Sequence, residues 1–204
     1  MGRLKRMTSS QHRQFIDTLY DYHECVDAYA DSFETIKLDS RFISRLSSWV
    51  EKVIKEKLGE AHHKIDGNKE TTRWTTGYLG ECAVEEFLGE KFIDWSVGDS
   101  AYYHKPDLSP LGIDCGIKTV EHGKFPLIFK QSDNPEFIVI RKNYDTFWLC
   151  GYADPYVLNT YQSDELVLDA ALRKRGTKTA FYGFEHLIPP AFLQLLTWGW
   201  DRIG

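Results

Sequence analysis

The most chemically suggestive part of the chain lies between residues 105 and 120, where acids and a lysine fall on short predicted strands. It contains Pro106-Asp107 and, a few positions later, Asp114 and Lys118. A carboxylate at a turn can ligate a hard cation such as Mg²⁺, and a nearby lysine can orient or deprotonate a water beside a phosphate. Upstream, Glu81 adds a carboxylate on a predicted helix. These residue types predict metal-assisted hydrolysis of a phosphodiester.

Strand geometry limits how Asp114 and Lys118 can act together. On an extended strand they point to the same face, but at roughly 3.3 Å per residue they are about 13 Å apart. A bulge at Gly116 would shorten this separation and bring Asp114 in as a ligand. Otherwise Gly116 leaves an open position that an introduced acid would fill. In that case the ligands would be Asp107, Glu81, the backbone carbonyl of Ile117 and water. Both alternatives stay open from the sequence.

Taken in order, Glu81, Pro106-Asp107 and Lys118 resemble the PD-(D/E)xK nuclease superfamily, in which a helix glutamate precedes a hairpin carrying the Asp and then the (D/E)xK strand. The resemblance covers residues 77–150. One position departs from it, because Gly116 stands where the motif has an acid two residues before the lysine.

The resemblance implies a restriction-endonuclease-like fold, a Mg²⁺ cofactor with Mn²⁺ as a substitute, and DNA as the substrate of an endonuclease. The expected metal ligands are Asp107, Asp114, Glu81 and the carbonyl of Ile117, and Lys118 completes the catalytic set with the three acids.

Each signal also has a purely structural interpretation. Pro-Asp in a loop is common turn chemistry, Asp114 and Lys118 could form an incidental ion pair, and Glu81 could be a solvated helix charge beside Glu85. Two alternatives to an active nuclease follow. One is a decayed nuclease fold that binds nucleic acid or protein, which Gly116 motivates, and the other is a globular protein without nucleic-acid affinity. Binding of a divalent metal discriminates between the nuclease and the decayed fold.

The elements that must position these residues follow from the hydrophobic pattern. The first third reads as helical, with helices through Phe15–Val26 and Phe42–Leu58, and a further helix runs from Thr71 to Leu88. The predicted strands are Phe92–Trp95, Ala101–His104, Gly112–Val120, Phe125–Phe129, Phe137–Arg141 and Thr146–Tyr152. Helices are predicted after Asp154-Pro155 and at Asp164–Arg175.

This order predicts an α/β (α+β) fold with a mixed central sheet flanked by helices and the site at one edge of that sheet. Residues 1–70 form the predicted N-terminal helical appendage. Residues 71–204 form the nuclease-like core with its C-terminal helices, and both parts are expected to make one compact unit.

Composition bounds the class of protein. With 204 residues, of which 42% are hydrophobic, the chain can bury a substantial core in one domain. No apolar run approaches the roughly 20 residues needed to cross a bilayer, and the basic N-terminus lacks a secretory signal, so an intracellular (cytoplasmic) protein without membrane contact is expected. Four cysteines lack metal-ligand spacing and are expected in the core.

The net charge of −5 does not exclude a nucleic-acid partner, because phosphate binding depends on a local basic face. Three basic patches stand out in the sequence: Arg3, Lys5 and Arg6; Lys52, Lys55 and Lys57; and Arg173-Lys174-Arg175 with Lys178. The aromatic C-terminal segment, 192–200, is expected to be core or dimer surface, so a homodimer is left open.

Overall fold

The computed structural model of the protein describes residues 17–19, 21–57, 67–95 and 105–198. The helices are α1 (Ser40–Lys57), α2 (Gly67–Leu88), α3 (Pro155–Thr160), α4 (Ala170–Arg175) and α5 (Ala191–Trp198). Residues 17–19 and 21–25 are also helical. The strands are β1 (Glu34–Lys37), β2 (Gly116–Glu121), β3 (Leu127–Phe129), β4 (Glu136–Arg141), β5 (Thr146–Ala153), β6 (Gln162–Ser163) and β7 (Lys178–Phe181).

The strands form two sheets. The larger sheet has the order β1-β5-β4-β2 and is mixed, because β2 pairs with β4 in parallel whereas the other pairs are antiparallel. The smaller sheet has the order β3-β7-β6 and is antiparallel. The chain leaving β2 therefore passes through the smaller sheet before it returns as β4. Among the described strands, β2 has a neighbour on one side only.

The larger sheet separates two hydrophobic clusters, and β4 contributes to both because its side chains alternate between faces. Phe137 and Val139 join the cluster under α1 and α2, and Ile138 and Ile140 join the cluster shared with the smaller sheet. The protein is thus a mixed α+β structure, as the sequence predicts at this coarse level.

The N-terminal region packs into the same core as the later elements. Ile43 and Leu46 of α1 lie in one cluster with Leu79 and Val84 of α2. The predicted helical first third is wrong at residues 34–37, which form β1 against β5. Ile36 packs against this cluster, and the other side chains of β1 are exposed. Pairing with a buried strand therefore overrides a short polar sequence that carries no periodic signal.

The predicted strand Phe92–Trp95 is irregular in the structure. The carboxylate of Glu85 explains this, because its Oε1 accepts hydrogen bonds from the backbone N–H groups of Phe92 and Ile93 at 2.8 and 2.9 Å. A buried side chain thus takes the donors that a strand would need. The predicted strand Ala101–His104 lies outside the described residues.

Several predicted boundaries move. The helix predicted from Thr71 begins at Gly67, and the strand predicted from Gly112 begins at Gly116. The last predicted helix begins at Ala170 instead of Asp164, because Asp169 is its N-cap and accepts from the N–H groups of Ala171 and Leu172.

The cysteines behave as predicted. Cys82, Cys115 and Cys150 are buried, Cys25 is half-buried, and all four are free thiols. None of the helices in the described ranges combines the length and the apolar character that crossing a bilayer requires.

Candidate active site

Asp107 is held at the start of β2 by a tight loop. Gly112 adopts a φ of 76°, which turns the chain back so that the Leu108 N–H donates to the Cys115 carbonyl at 3.1 Å. Leu108 is fully buried and anchors the loop. The Asp107 Oδ2 then accepts from the backbone N–H of Ile117 at 2.6 Å.

This bond also orients the Ile117 carbonyl. The N–H of Ile117 points to Asp107, whereas the N–H of Gly116 points to the opposite side and donates to Pro135 at 3.0 Å. In a strand the N–H and C=O of one residue point to the same side. The Ile117 carbonyl therefore faces the same edge of β2 as the Asp107 carboxylate, as its predicted ligand role requires.

The acid missing at Gly116 comes from the neighbouring strand. Gly116 pairs in register with Glu136, the first residue of β4. A Cβ built on Gly116 would lie 2.5 Å from Glu136 Oε2 and 3.7 Å from Asp107 Oδ2. The Glu136 carboxylate thus fills the space in which a side chain at position 116 would begin, and it does so next to Asp107.

Lys118 lies beside this second acid. Its Nζ is 3.8 Å from Glu136 Oε1, and both side chains are partly buried. Burial raises the pKa of Glu136, opposed by the positive charge of Lys118 and reinforced by the negative charge of Asp107. Burial likewise raises the pKa of Asp107, opposed by the Ile117 hydrogen bond and by Lys118. Part of Asp107 is exposed to solvent, but the protein packed around its carboxylate removes enough water to raise this pKa.

Glu81 reaches the site from α2. Nearby on the helix Ala83 and Val84 are fully buried, as the sequence predicts. Burial raises the pKa of Glu81 to about 8, with smaller contributions from the negative charges of Asp107 and Glu85. Ionising Glu81 is therefore unfavourable until a cation or a hydrogen-bond donor offsets the nearby acids.

A glycine sets the distance between α2 and β2. A Cβ added at Gly80 would overlap the side chain of Thr119 on β2. The helix backbone therefore rests directly on the strand that carries Lys118, and Glu81 is the next residue along the helix.

Glu81 and Asp107 face a cleft of about 870 Å³. Its walls include Trp74 and Tyr78, which precede Glu81 on the same face of α2, and the loop residue Pro106. The volume is ample for a nucleotide-sized group next to the two carboxylates.

The structure thus brings together three of the predicted residues, Glu81, Asp107 and Lys118, with the predicted carbonyl of Ile117. Asp114 is placed differently. It is exposed, lies before β2 begins, and influences the pKa of Cys115 and Tyr152. The charges that act on Glu136 are those of Lys118, Asp107 and Lys178. No bulge at Gly116 draws Asp114 inward, since β2 and β4 stay in continuous register from Gly116 to Glu121.

The residue that the sequence interpretation missed is Glu136. Its signal is an acid directly before the apolar run Phe137–Ile140, at the first position of a buried strand. Recognising it required the pairing of two strands that are distant in sequence, which local patterns do not specify.

The donor set suits Mg²⁺ in kind, since Asp107, Glu136 and the Ile117 carbonyl supply only oxygen atoms. Within the described ranges, no three His, Cys, Asp or Glu residues stand close enough together to hold a metal ion by themselves. A cation would therefore be held by few protein ligands and several waters, which is the usual situation of Mg²⁺ beside a phosphate substrate.

Comparison of the chain with models of protein families, with curated proteins and with solved structures gave no match.

Proposed function

We propose that the protein is a divalent-metal-dependent nuclease of the PD-(D/E)xK type, most simply a DNA endonuclease with a restriction-endonuclease-like fold. One observation carries the proposal. The Glu136 carboxylate lies where the side chain of an acid two residues before the lysine would begin, beside Asp107 and 3.8 Å from the Lys118 amine. The departure at Gly116 is then a relocation of the acid to the neighbouring strand.

The electrostatics support the same reading. Buried acids that repel one another destabilise the fold when no cation is bound. Such groups of acids are typical of sites that receive a cation. Asp107 and Glu136, together with the Ile117 carbonyl, would hold Mg²⁺, and Glu81 would bind its water ligands from the side of α2. When bound, the metal would neutralise the charge that develops at the phosphate and would lower the pKa of a coordinated water.

The remaining chemistry belongs to Lys118. Its Nζ would donate a hydrogen bond to the attacking water and align it with the scissile phosphorus. The water oxygen forms the new bond to phosphorus and gives up a proton to solvent, while the bond to the leaving sugar oxygen breaks and that oxygen takes up a proton from solvent. Loss of Lys118 should lower turnover and leave substrate binding intact.

A cleavage assay tests the proposal. Supercoiled plasmid and branched oligonucleotides would be incubated with the wild-type protein in Mg²⁺, in Mn²⁺ or in EDTA. Cleavage is expected with either metal and is expected to stop in EDTA. Lys118→Ala and Asp107→Asn should each reduce turnover by about 100-fold or more.

Lys124→Ala is the matched control, because Lys124 is an exposed lysine just beyond β2. It should cleave like the wild type, so a loss of turnover in Lys118→Ala can be assigned to position 118 and not to the removal of any exposed lysine. Full activity of Lys118→Ala, or cleavage that persists in EDTA, would overturn the proposal. Binding of DNA without cleavage in either metal would instead support the decayed nuclease fold.

A further inference from the structure

The smaller sheet places a basic and aromatic surface directly beside the site. Lys178 begins β7 and pairs in register with Phe129 at the end of β3. The Lys178 Nζ lies 5.0 Å from the centre of the Phe129 ring, and Phe129 is 57% exposed, so much of the ring is open to solvent. We call Phe129, Lys178 and Arg175 the basic aromatic face.

The charges of this face lie close enough to the proposed catalytic residues to act on them. Burial lowers the pKa of Lys178, and so do the positive charges of Lys118, Arg73 and Arg175, while the negative charge of Glu136 raises it. Lys178 thus contacts the Phe129 ring and lies near the Lys118–Glu136 pair. Its surroundings contain more cations than anions, an arrangement that an anionic ligand would stabilise.

Neighbouring basic residues show which charges are already used by the fold. Arg173 donates to the Val167 carbonyl through Nε and Nη2 at 3.1 and 2.6 Å, and Lys130 forms an ion pair with Asp164. Arg175 is exposed at the end of α4, directly before the left-handed Gly176 turn that leads into β7. Within the sequence cluster Arg173-Lys174-Arg175 with Lys178, Arg173 is thus used by the fold, whereas Arg175 is exposed and its charge acts on Lys178.

We infer that the basic aromatic face binds an unpaired stretch of nucleic acid next to the scissile phosphate, with a base stacked on Phe129 and phosphates on Lys178 and Arg175. The inference rests on the proposed function for the position of the scissile phosphate. An exposed ring beside a row of cations suits single strands, because bases in a duplex have no free face to stack on a side chain. A nucleic acid with an unpaired segment is therefore the preferred substrate.

Binding in EDTA tests this surface separately from hydrolysis. A fluorescein-labelled DNA oligonucleotide, single-stranded or annealed to its complement, would be titrated with the full chain by fluorescence anisotropy. Phe129→Ala should raise the Kd for the single strand by about tenfold and leave the Kd for the duplex unchanged. Lys178→Gln and Arg175→Gln should each reduce the slope of log Kd against log salt by about 0.7 on single strands.

Two variants serve as matched controls. Tyr156→Ala removes an aromatic side chain that is 75% exposed on α3, and Lys124→Gln removes an exposed charge just beyond β2. Both should bind like the wild type. Phe129 and Arg175 are exposed, so their variants should keep the wild-type melting temperature.

The inference is overturned if the wild type does not bind single strands, if Phe129→Ala and Lys178→Gln bind like the controls, or if Phe129→Ala weakens duplex binding equally. Any of these results can occur while Asp107-dependent cleavage is intact, in which case only the inference fails. If instead the single strand binds through this face and no metal supports cleavage, the surface stands and the proposed nuclease activity fails.

Discussion

The two ends of the parallel β2–β4 pair carry the same kinds of residue in very different states. At the far end, Glu121 accepts from Thr76 Oγ1 at 2.6 Å and faces Arg141 Nη1 at 3.5 Å. Arg141 also donates to the carbonyls of Asn143 and Tyr144. At the near end, Lys118 stands 3.8 Å from Glu136, and Asp107 adds a second negative charge.

At the far end Glu121 and Arg141 each have several hydrogen-bond or ion-pair partners. At the near end two carboxylates, Asp107 and Glu136, lie beside one lysine, Lys118. The same contrast occurs within α2. Glu85 is bound by Lys91 at 2.9 Å and by two backbone N–H groups, and Glu81, one turn earlier, has its pKa raised to about 8 by burial and nearby acids. Burial of an acid is common to structural and functional positions, so the surplus of negative charge is what separates them.

The strongest test applies one change to both ends of the strand pair. Glu136→Gln should reduce turnover by about 100-fold, because it removes a proposed metal ligand. Glu121→Gln should leave turnover unchanged and lower the free energy of unfolding by about 1 kcal/mol, since a charged partner of Arg141 is lost. Plasmid cleavage and urea unfolding measure the two effects. Equal loss of turnover in both variants would contradict the distinction between the ends.

Moving the acid back to β2 would sharpen the comparison. Gly116→Glu alone should lower the free energy of unfolding by about 1 to 3 kcal/mol, because the new side chain begins where the Glu136 carboxylate lies. This reverses the expectation from sequence that an acid at position 116 fills an open site. In a Glu136→Ala background, the same change should restore turnover by about tenfold over Glu136→Ala alone.

A glutamine at position 116 is the matched control for this double variant. Gly116→Gln in the Glu136→Ala background has similar bulk without the charge and should restore no turnover. If the glutamate and glutamine versions behave alike, the acid has not been relocated between the strands.

Stability should depend on pH through the near-end acids. The pKa of Glu81 rises from its usual 4.5 to about 8 on folding, so the folded state holds a proton that the unfolded state loses. The contribution of Glu81 to the free energy of unfolding should therefore be highest below pH 4.5, and it should fall as the pH rises toward 8. Thermal scans of the wild type and Glu81→Gln measure this, and the variant should lose most of the slope.

Divalent metal should act in the opposite direction. Because it binds the ionised acids, millimolar Mg²⁺ should raise the melting temperature more above pH 8 than near pH 6. Scans with Mg²⁺ that match those with EDTA at both pH values would remove the metal site from this region.

The smallest effect is expected at Asp114. Since Asp114 is exposed and lies outside the β2–β4 pair, Asp114→Asn should leave metal affinity and turnover unchanged, whereas Asp107→Asn should weaken metal binding and reduce turnover by about 100-fold or more. Isothermal titration with Mn²⁺ and the cleavage assay would compare the two. A similar loss in both variants would return Asp114 to the ligand set.

Local signals in the sequence pointed to part of the candidate site. Glu81 follows from the helical pattern of α2, and Asp107 and Lys118 follow from turn and strand chemistry. Glu136 could not be found this way, because its position depends on the register between β2 and β4 across an intervening strand of another sheet. The fold shows the same division. Strand β5 was predicted almost to its ends, whereas β1 was missed and Phe92–Trp95 was assigned to a strand.

The contact between Gly80 and Thr119 has a consequence for behaviour on heating. The close packing of the Gly80 backbone on the Thr119 side chain sets the distance between Glu81 and β2. Salt and water weaken ion pairs, but they do not weaken this steric contact in the same way. The geometry between helix and strand is therefore kept until the core itself opens. Inactivation on warming should coincide with cooperative melting, without a lower-temperature phase in which the fold persists but the site has come apart.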